Sequence, residues 1–380
     1  MSDCLVLGSG ASGKAARRLA EAKGYGAVVL DGEDAFPPGG FEFAVVSPGV
    51  PLRHRWLDEC RRRNIPFKSE LQFGCEELVR QGWKLLAVTG SKGKSSVVKV
   101  VADAIALTGV RAVSCGNYGY PVSALAAEGG ETGWAVVEVS SFMMETTSLP
   151  AGTFAAATVL NLQEDHLDRH GEVSVYHELK MKLLDMAAYG FVAAEGEVPA
   201  GTYFDNGILR VNGAAAAELM RVAAVPEESI VCAFNSFIPL SHRMQCIASI
   251  GGVRFIDDSK ATSLAALRAA VVMAGDRVHL IAGGLPKGDD PEAVLPDLTK
   301  RVKKVYLIGQ SAEEFSHAWK RGVDCEICTT LERAVESSMR QAVSGDTVLL
   351  SPGAASYDQF QNFAERGDRF AFLVKGRVKK

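Results

Sequence analysis

Short apolar runs alternate with amphipathic stretches along the whole chain, and most of the runs end in glycine or a small polar residue. CLVLG (residues 4–8), AVVLD (27–31) and FAVVSPG (43–49) read as buried strands, separated by a helical stretch beginning at ASGKAARRLAEAKG. The segment closes through the helical LDECRRRN (57–64) and ends near residue 80. KLLAVTG (84–90) then opens a second series, followed by the helical KSSVVKVVADAIALTG (94–109) and the strand–loop units AVSCGNYGYP, WAVVEVSSF and AAATVLNLQEDHLDRHG. The stretch VYHELKMKLLDMAA (175–188) predicts a helix. A third series starts near residue 246 with VRFIDDSKA and continues through VHLIAGG, KVYLIGQ and TVLLSPG.

Strands alternating with helices predict an α/β protein with parallel, doubly wound sheets in every segment. At 380 residues the chain suits two or three domains. The pattern breaks it at 1–82, 83–245 and 246–380, with no short repeat. A composition of 47% hydrophobic and 23% charged residues supplies several cores. With 41 basic against 45 acidic residues, the net charge of −4 argues against a general nucleic-acid or anionic-membrane binder. The start, MSDCLVLGSGASG, lacks the charged and apolar regions of a signal peptide, and no apolar run approaches a membrane span. Eight scattered cysteines suit a reducing cytoplasm. Cys325 and Cys328 form a C-x-x-C, but without a second pair and in a strand-like setting they read as buried strand cysteines.

Two glycine-rich turns carry candidate chemistry. Gly8, Gly10 and Gly13 fit G-x-G-x-x-G, with the acidic Asp31 ending the next strand. This pattern says only that a diphosphate, of NAD or of another ligand, or some other anionic group can sit on amides at a helix N-terminus. The second turn, TGSKGKSS (89–96), almost spells a Walker A loop, but the glycine due five residues before Gly93 is Val88. Taken singly, Glu138 at a strand end reads as a solvated edge, His166 as structural, DDSKAT as a polar turn and SPGAASYDQFQNFAERG as a helix cap. Their order, at the carboxyl ends of predicted strands, is where open α/β sheets build sites.

Together VLGSGASG, TGSKGKSS, CGNYGYP, EVSSF, NLQEDHLDRHG with YHELK, SHR, DDSKAT and LLSPGAASYDQFQNFAERG resemble the Mur ligase family over nearly the whole chain. The resemblance implies three domains: a Rossmann-like N-terminal domain, a central P-loop ATPase-like parallel sheet and a Rossmann-like C-terminal domain. It implies a cytoplasmic, monomeric ATP-dependent ligase that adds D-glutamate to UDP-N-acetylmuramoyl-L-alanine through an acyl phosphate, with no nucleic-acid or membrane partner. L-glutamate or another acceptor as substrate, and a non-catalytic nucleotide-binding relative, stand as the alternatives. The family's phosphate loop is short and lacks the distant glycine, so Thr89–Ser96 fits it except for Lys92 in place of Asn.

The same resemblance assigns roles. Gly90, Ser91, Lys92, Gly93, Lys94, Ser95 and Ser96 would bind the ATP phosphates, Asn212 the adenine, Arg243 a phosphate, Asp258 the ribose, and Lys260 would lie beside the reaction centre. Lys94, Glu138, His166 and Lys180 would be catalytic. Two Mg²⁺ ions would be held by Ser95, Glu138, His166 and a CO2-derived carbamate on Lys180. A lysine left unmodified there would instead be an exposed helix residue in an i,i+4 pair. Gly10, Ala11, Ser12, Gly13, Asp31, Ser47, Pro48, Gly49, Asn117 and Ser140 would face the UDP acceptor. Thr262, Lys287, Ser356, Tyr357 and Phe363 would receive glutamate, whose two charges must be paired once desolvated. The chain departs from the family pattern at Gly32-Glu33, where Thr-Arg is usual, at Ile208-Leu209, where His-Asn is usual, and at Met143, where Gln is usual.

Overall fold

The structure is a computed structural model describing residues 3–163, 167–207 and 209–376. The expectations placed on His166 and on Ile208 therefore lie outside the described residues. The chain divides into two compact units, Met1–Phe237 and Ile238–Lys380.

The first unit opens with β1 (Asp3–Leu7), α1 (Ala11–Ala22), β2 (Gly26–Leu30), β3 (Phe43–Val46), α2 (Arg55–Arg62), β4 (Phe67–Ser69) and α3 (Glu70–Gln81). Its four strands are parallel in the order β2-β1-β3-β4. Helix α1 crosses so close to the preceding turn that a Cβ on Gly13 would strike the Gly8 carbonyl. Gly8 itself takes φ +99°, a left-handed conformation that side chains avoid.

A second sheet follows in the same unit. Its elements are β5 (Lys84–Thr89), α4 (Lys94–Leu107), β6 (Ala112–Gly116), α5 (Val122–Glu128), β7 (Trp134–Glu138), α6 (Ser141–Met144), β8 (Phe154–Val159), α7 (Leu167–His170), α8 (Val173–Met181), β9 (Ala187–Val192), α9 (Arg210–Val222) and α10 (Glu227–Ser236). All five strands are parallel in the order β6-β7-β5-β8-β9. The central β5 is buried from Leu85 to Thr89, as a strand covered on both faces must be. The boundary read at residue 82 falls between α3 and β5. One apolar cluster runs across it, from Val6, Leu19 and Leu78 to Leu85, Val137 and Phe154.

The helix expected over 175–188 is corrected. Helix α8 stops at Met181, a 3₁₀ turn spans Leu184–Met186, and Ala187–Val192 pairs with β8 as the sheet's edge strand. Helix propensity is only a weak prior, and pairing of Ala187–Val192 to the open edge at β8 overrides it.

The second unit carries β10 (Gln245–Ile250), β11 (Val253–Asp257), α11 (Leu264–Ala274), β12 (Val278–Gly283), α12 (Leu295–Arg301), β13 (Val302–Ile308), α13 (Ala312–Trp319), β14 (Asp324–Thr329), α14 (Leu331–Gln341), β15 (Thr347–Leu350) and α15 (Phe363–Gly376). The order is β10-β11-β15-β12-β13-β14. Five strands are parallel, while β10 pairs antiparallel with β11 and so departs from the expectation of wholly parallel sheets. The two are joined by Gly251-Gly252, at φ +57° and +78°, the left-handed turn a tight hairpin requires. Cys325 and Cys328 both lie on β14, where burial pushes their thiols up to about 11 and about 12. Among the described residues no helix is long and apolar enough to cross a membrane.

Candidate active site

The turn between β5 and α4 is held in shape by the β8 side of the sheet. The Asn161 side chain accepts from Lys92 N–H (2.8 Å) and donates to the Lys92 carbonyl (2.9 Å), closing a two-way amide clamp. Ser91 N–H donates to the Asn161 carbonyl at 3.0 Å. Ser91 Oγ donates to the Gln163 carbonyl (3.0 Å) and accepts from Gln163 N–H (2.9 Å) and Tyr176 Oη (3.1 Å). Gly90 and Gly93 take φ +145° and +84°. A Cβ on Gly93 would run into the side-chain amide of Asn212, which is buried on α9. Helix α4 begins at Lys94 with no side-chain cap and no acidic residue in its first turn. Its first amides are therefore presented, with the positive end of the helix dipole, to whatever occupies the turn.

Around this turn the structure gathers most of the residues expected there. Lys94 Nζ folds back onto the carbonyls of Gly90 (2.8 Å) and Ser91 (3.2 Å). Ser95 Oγ donates to Glu138 Oε2 at 2.6 Å, and Asn117 Nδ2 donates to Glu138 Oε1 at 2.7 Å. Ser96 is buried on the same helix turn. Glu138 is itself only 2% exposed, so both its oxygens are oriented by neighbours. Asn117, expected at the acceptor, is here a partner of this carboxylate. Lys180 is 1% exposed, which overturns the reading of an exposed helix lysine. Its Nζ donates to the Gly90 carbonyl at 2.9 Å and lies 4.5 Å from the Tyr176 ring centroid.

The glycine turn of the first sheet forms a second surface of the unit. Ser47 N–H bonds the Leu7 carbonyl, and Ser47 Oγ donates to the Gly8 carbonyl at 3.3 Å. This brings the Ser47-Pro48-Gly49 turn beside the Gly10–Gly13 start of α1, where Ala11 and Ser12 form its first turn. A hydrogen bond from Ser9 holds the Asp31 carboxyl below its ordinary value. Glu33, an awkward charge near any diphosphate, is paired to Arg55 at 2.9 Å. Met143 is buried in the core, and its Sδ accepts from Ser140 N–H at 3.5 Å.

In the second unit the expected residues also cluster. Asp258 accepts from Ser351 Oγ (3.0 Å) and Met244 N–H (3.1 Å), yet burial pushes its carboxyl up to about 7. Arg243 exerts a lowering influence on that carboxyl from a turn whose His242 and Met244 take φ +61° and +49°. Neither is glycine, so the turn is strained. His242 Nδ1 lies 2.7 Å from Asp257 Oδ2, which raises the imidazole's proton affinity. Lys260 Nζ sits 3.8 Å from the Phe363 ring centroid. Lys287 Nζ donates to Thr262 Oγ1 at 3.3 Å. Ser356 is buried, whereas Tyr357 is exposed.

Arg366 was not among the residues expected. It is 1% exposed and makes five hydrogen bonds, to Ser259 Oγ and O, Ala354 O twice, and Ala355 O. It thereby ties the DDSKAT turn to the SPGAAS turn. Burial lowers its proton affinity to about 10, so it stays charged at neutral pH. The one available signal was the arginine in NFAERG, on the first turns of α15.

The fit to a metal rests on donor chemistry. Among the described residues no group of three His, Cys, Asp or Glu is positioned to hold an ion. Ser95 Oγ and Glu138 form a buried pair of hard oxygen donors at a phosphate-type turn, which suits Mg²⁺ rather than a soft metal.

Open parallel sheets bearing a phosphate-type turn and an oriented buried carboxylate define a nucleotide-handling α/β enzyme. Two family models match the chain, the Mur ligase middle domain over residues 88–204 and the Mur ligase glutamate ligase domain over residues 242–353. The chain is 32% identical to the UDP-N-acetylmuramoylalanine--D-glutamate ligase of Nitratidesulfovibrio vulgaris, covering 98% of this chain and 95% of that protein. It is 29% identical to the ligase of the same name from Chlamydia felis, covering 97% of each. The crystal structure of the MurF ligase from Thermotoga maritima in complex with ADP shares the fold, with a TM-score of 0.62 at 14% identity over 99% of this chain and 96% of that one. The chain belongs to the Mur ligase family and is a ligase.

Proposed function

We propose that this enzyme joins D-glutamate to UDP-N-acetylmuramoyl-L-alanine at the expense of ATP, in the assembly of a peptidoglycan precursor. The observation that carries the reading is the set around the phosphate turn, where half-buried Lys94, buried Lys180 and the buried Ser95–Glu138 pair converge on Gly90–Ser95. The choice of substrates draws on the names of relatives at 29% and 32% identity.

A free carboxylate is a poor acyl donor, because the group it would have to expel is an oxide. In the proposed reaction an acceptor carboxylate oxygen attacks the γ-phosphorus, and ADP leaves. The amine of glutamate then attacks the acyl carbon of the resulting acyl phosphate. Inorganic phosphate leaves with the bonding electrons of the C–O bond, and the amine loses a proton. The reactants are anions that must meet in one place, so positioning and charge neutralisation are the protein's main tasks.

Backbone amides from Ser91 to Ser95 and the Lys94 ammonium would bind the phosphates. Ser95 and Glu138 would hold Mg²⁺, which supplies charge neutralisation when bound. Asn117 orients Glu138 by its hydrogen bond, while Asn161 and Tyr176 keep the turn in shape. In the second unit, Asp258 would receive the ribose hydroxyls and Arg243 a phosphate. Lys260 would lie beside the reaction centre, and Thr262, Lys287, Ser356, Tyr357 and Phe363 would serve glutamate. Gly10–Gly13, Asp31, Ser47–Gly49 and Ser140 would serve the UDP end of the acceptor.

Two readings of Lys180 remain distinct. CO2 added to its neutral amine with loss of a proton gives a carbamate, an anionic oxygen donor for Mg²⁺. In the alternative, an unmodified Lys180 would stay an ammonium at the Gly90 carbonyl and the Tyr176 ring and neutralise phosphate. Release of ADP, measured with the acceptor and a panel of amino acids, tests the main proposal. Turnover dependent on D-glutamate is expected, and turnover only with another amino acid, or none from folded protein, refutes it.

A further inference from the structure

Arg169, on α7, joins the two sheets of the first unit. Its guanidinium meets Glu145 as a fork, Nε to Oε1 at 3.0 Å and Nη2 to Oε2 at 2.6 Å. The same Nη2 also donates to the carbonyls of Val50 (3.0 Å) and Pro48 (3.4 Å) in the turn of the first sheet. The guanidinium lies 5.0 Å from the Phe142 ring centroid. Both partners are withdrawn from water, with side chains 16% and 6% exposed.

Glu145 directly follows α6, the short helix that begins just after Glu138. His170 braces this segment, with Nε2 at 3.0 Å from Ser141 Oγ and Nδ1 at 3.5 Å from Glu145 Oε1. The chain after Glu145 is spliced to the first sheet as well. Ser69 N–H donates to Thr146 O at 3.0 Å, Ser69 Oγ pairs with Thr147 Oγ1 at 2.6 Å, and Ser148 N–H donates to Gln72 Oε1 at 2.9 Å. These bonds attach the splice to β4 and α3. Arg169 alone among the described residues of this group attaches it to the 47–50 turn, which in turn contacts the Gly8 carbonyl. A continuous path thus runs from Glu138 through α6, Glu145 and Arg169 to the turn beside the first-sheet glycines.

We propose that Arg169 is a positioning residue for the sugar-nucleotide end of the acceptor, acting through the Pro48–Val50 carbonyls. It sets the spacing between that turn and the Glu138 end of the second sheet. The inference rests on the acceptor assignment proposed above. The job needs a planar cation with several directed N–H groups, because one head must satisfy a carboxylate and two carbonyls from different elements. Lysine carries the charge but not the fork.

Arg169→Ala would strand a buried carboxylate and risks unfolding, so the test uses Arg169→Lys beside the wild type, with thermal melting of both. Loss of directed bonds from a charged donor is expected to raise the acceptor KM about tenfold, with the ATP KM and saturating kcat within about twofold. UDP alone, titrated by calorimetry, is expected to bind the variant about tenfold more weakly. A merely structural role would move every kinetic constant together, and that result overturns the inference. Wild-type turnover on the acceptor with an unchanged acceptor KM in Arg169→Lys overturns it alone. A wild-type chain that binds neither UDP nor the acceptor overturns it together with the reading it rests on.

Discussion

Lys94 and Lys180, 4 and 90 residues further along the chain, both donate to the Gly90 carbonyl. Loss of the proposed phosphate-clamping charge in Lys94→Ala is expected to lower the rate on the order of 10³-fold in steady-state assays, and near-normal turnover would remove it from the site. For Lys180→Ala a loss of a few orders of magnitude is expected on the same grounds. Partial rescue by small carboxylates supports a carbamate, whereas rescue by small amines supports the ammonium. At this scale the residues legible in the sequence are those within motifs that directly follow strands, such as Lys94, Ser95 and Glu138. Asn161, Arg169 and Arg366 were not foreseen, although each sits inside a quoted motif. Their partners are largely backbone carbonyls and amides, which every residue possesses, so nothing in the linear pattern marks which ones will be met.

Helix α3 shows how an element carries a pH-dependent cost. Glu70, its first residue, is 1% exposed. Its Oε1 accepts from Ser123 N–H on α5 at 2.6 Å, while Oε2 has no hydrogen-bond partner. Burial raises the carboxyl from 4.5 to about 7, against the lowering effect of Ser123. The folded state therefore binds this proton more tightly than the unfolded state. Stability from this group is present below about 4.5 and is lost as pH rises through about 7. Glu70→Gln keeps the Oε1 acceptor and cannot ionise, so its melting temperature is expected to exceed that of the wild type at pH 8 and to match it near pH 4.5. A difference that does not change with pH would contradict this account. Elements with strong periodicity, such as α1, α4 and the buried strands β1, β5 and β12, were readable. Strands β4, β9 and β10 were not, because they owe their state to a neighbour: β4 to β3, β9 to β8, and β10 to β11.

At the scale of the whole molecule, the two units each assemble part of what the proposed reaction needs. The first unit has the phosphate turn, the carboxylate–hydroxyl pair and the glycine turn with its Ser47–Gly49 neighbour. The second has Asp258, Arg243, and the DDSKAT and SPGAAS turns tied by Arg366. The α/β class and the three-sheet plan were legible, since alternating strand and helix periods are set by burial on two faces. What the pattern could not supply is the common core running from the first sheet into the second, because contacts between distant segments leave no local period. The departures from the family pattern bear on substrates, and they sharpen the main question. Glu33 is paired with Arg55, so that departure does not require loss of activity. The most direct measurement is ADP release by the full chain with UDP-N-acetylmuramoyl-L-alanine, ATP and Mg²⁺, run in parallel with D-glutamate and L-glutamate. The account predicts turnover that requires the acceptor and D-glutamate together. Folded protein that releases ADP only with L-glutamate, or not at all, would contradict it.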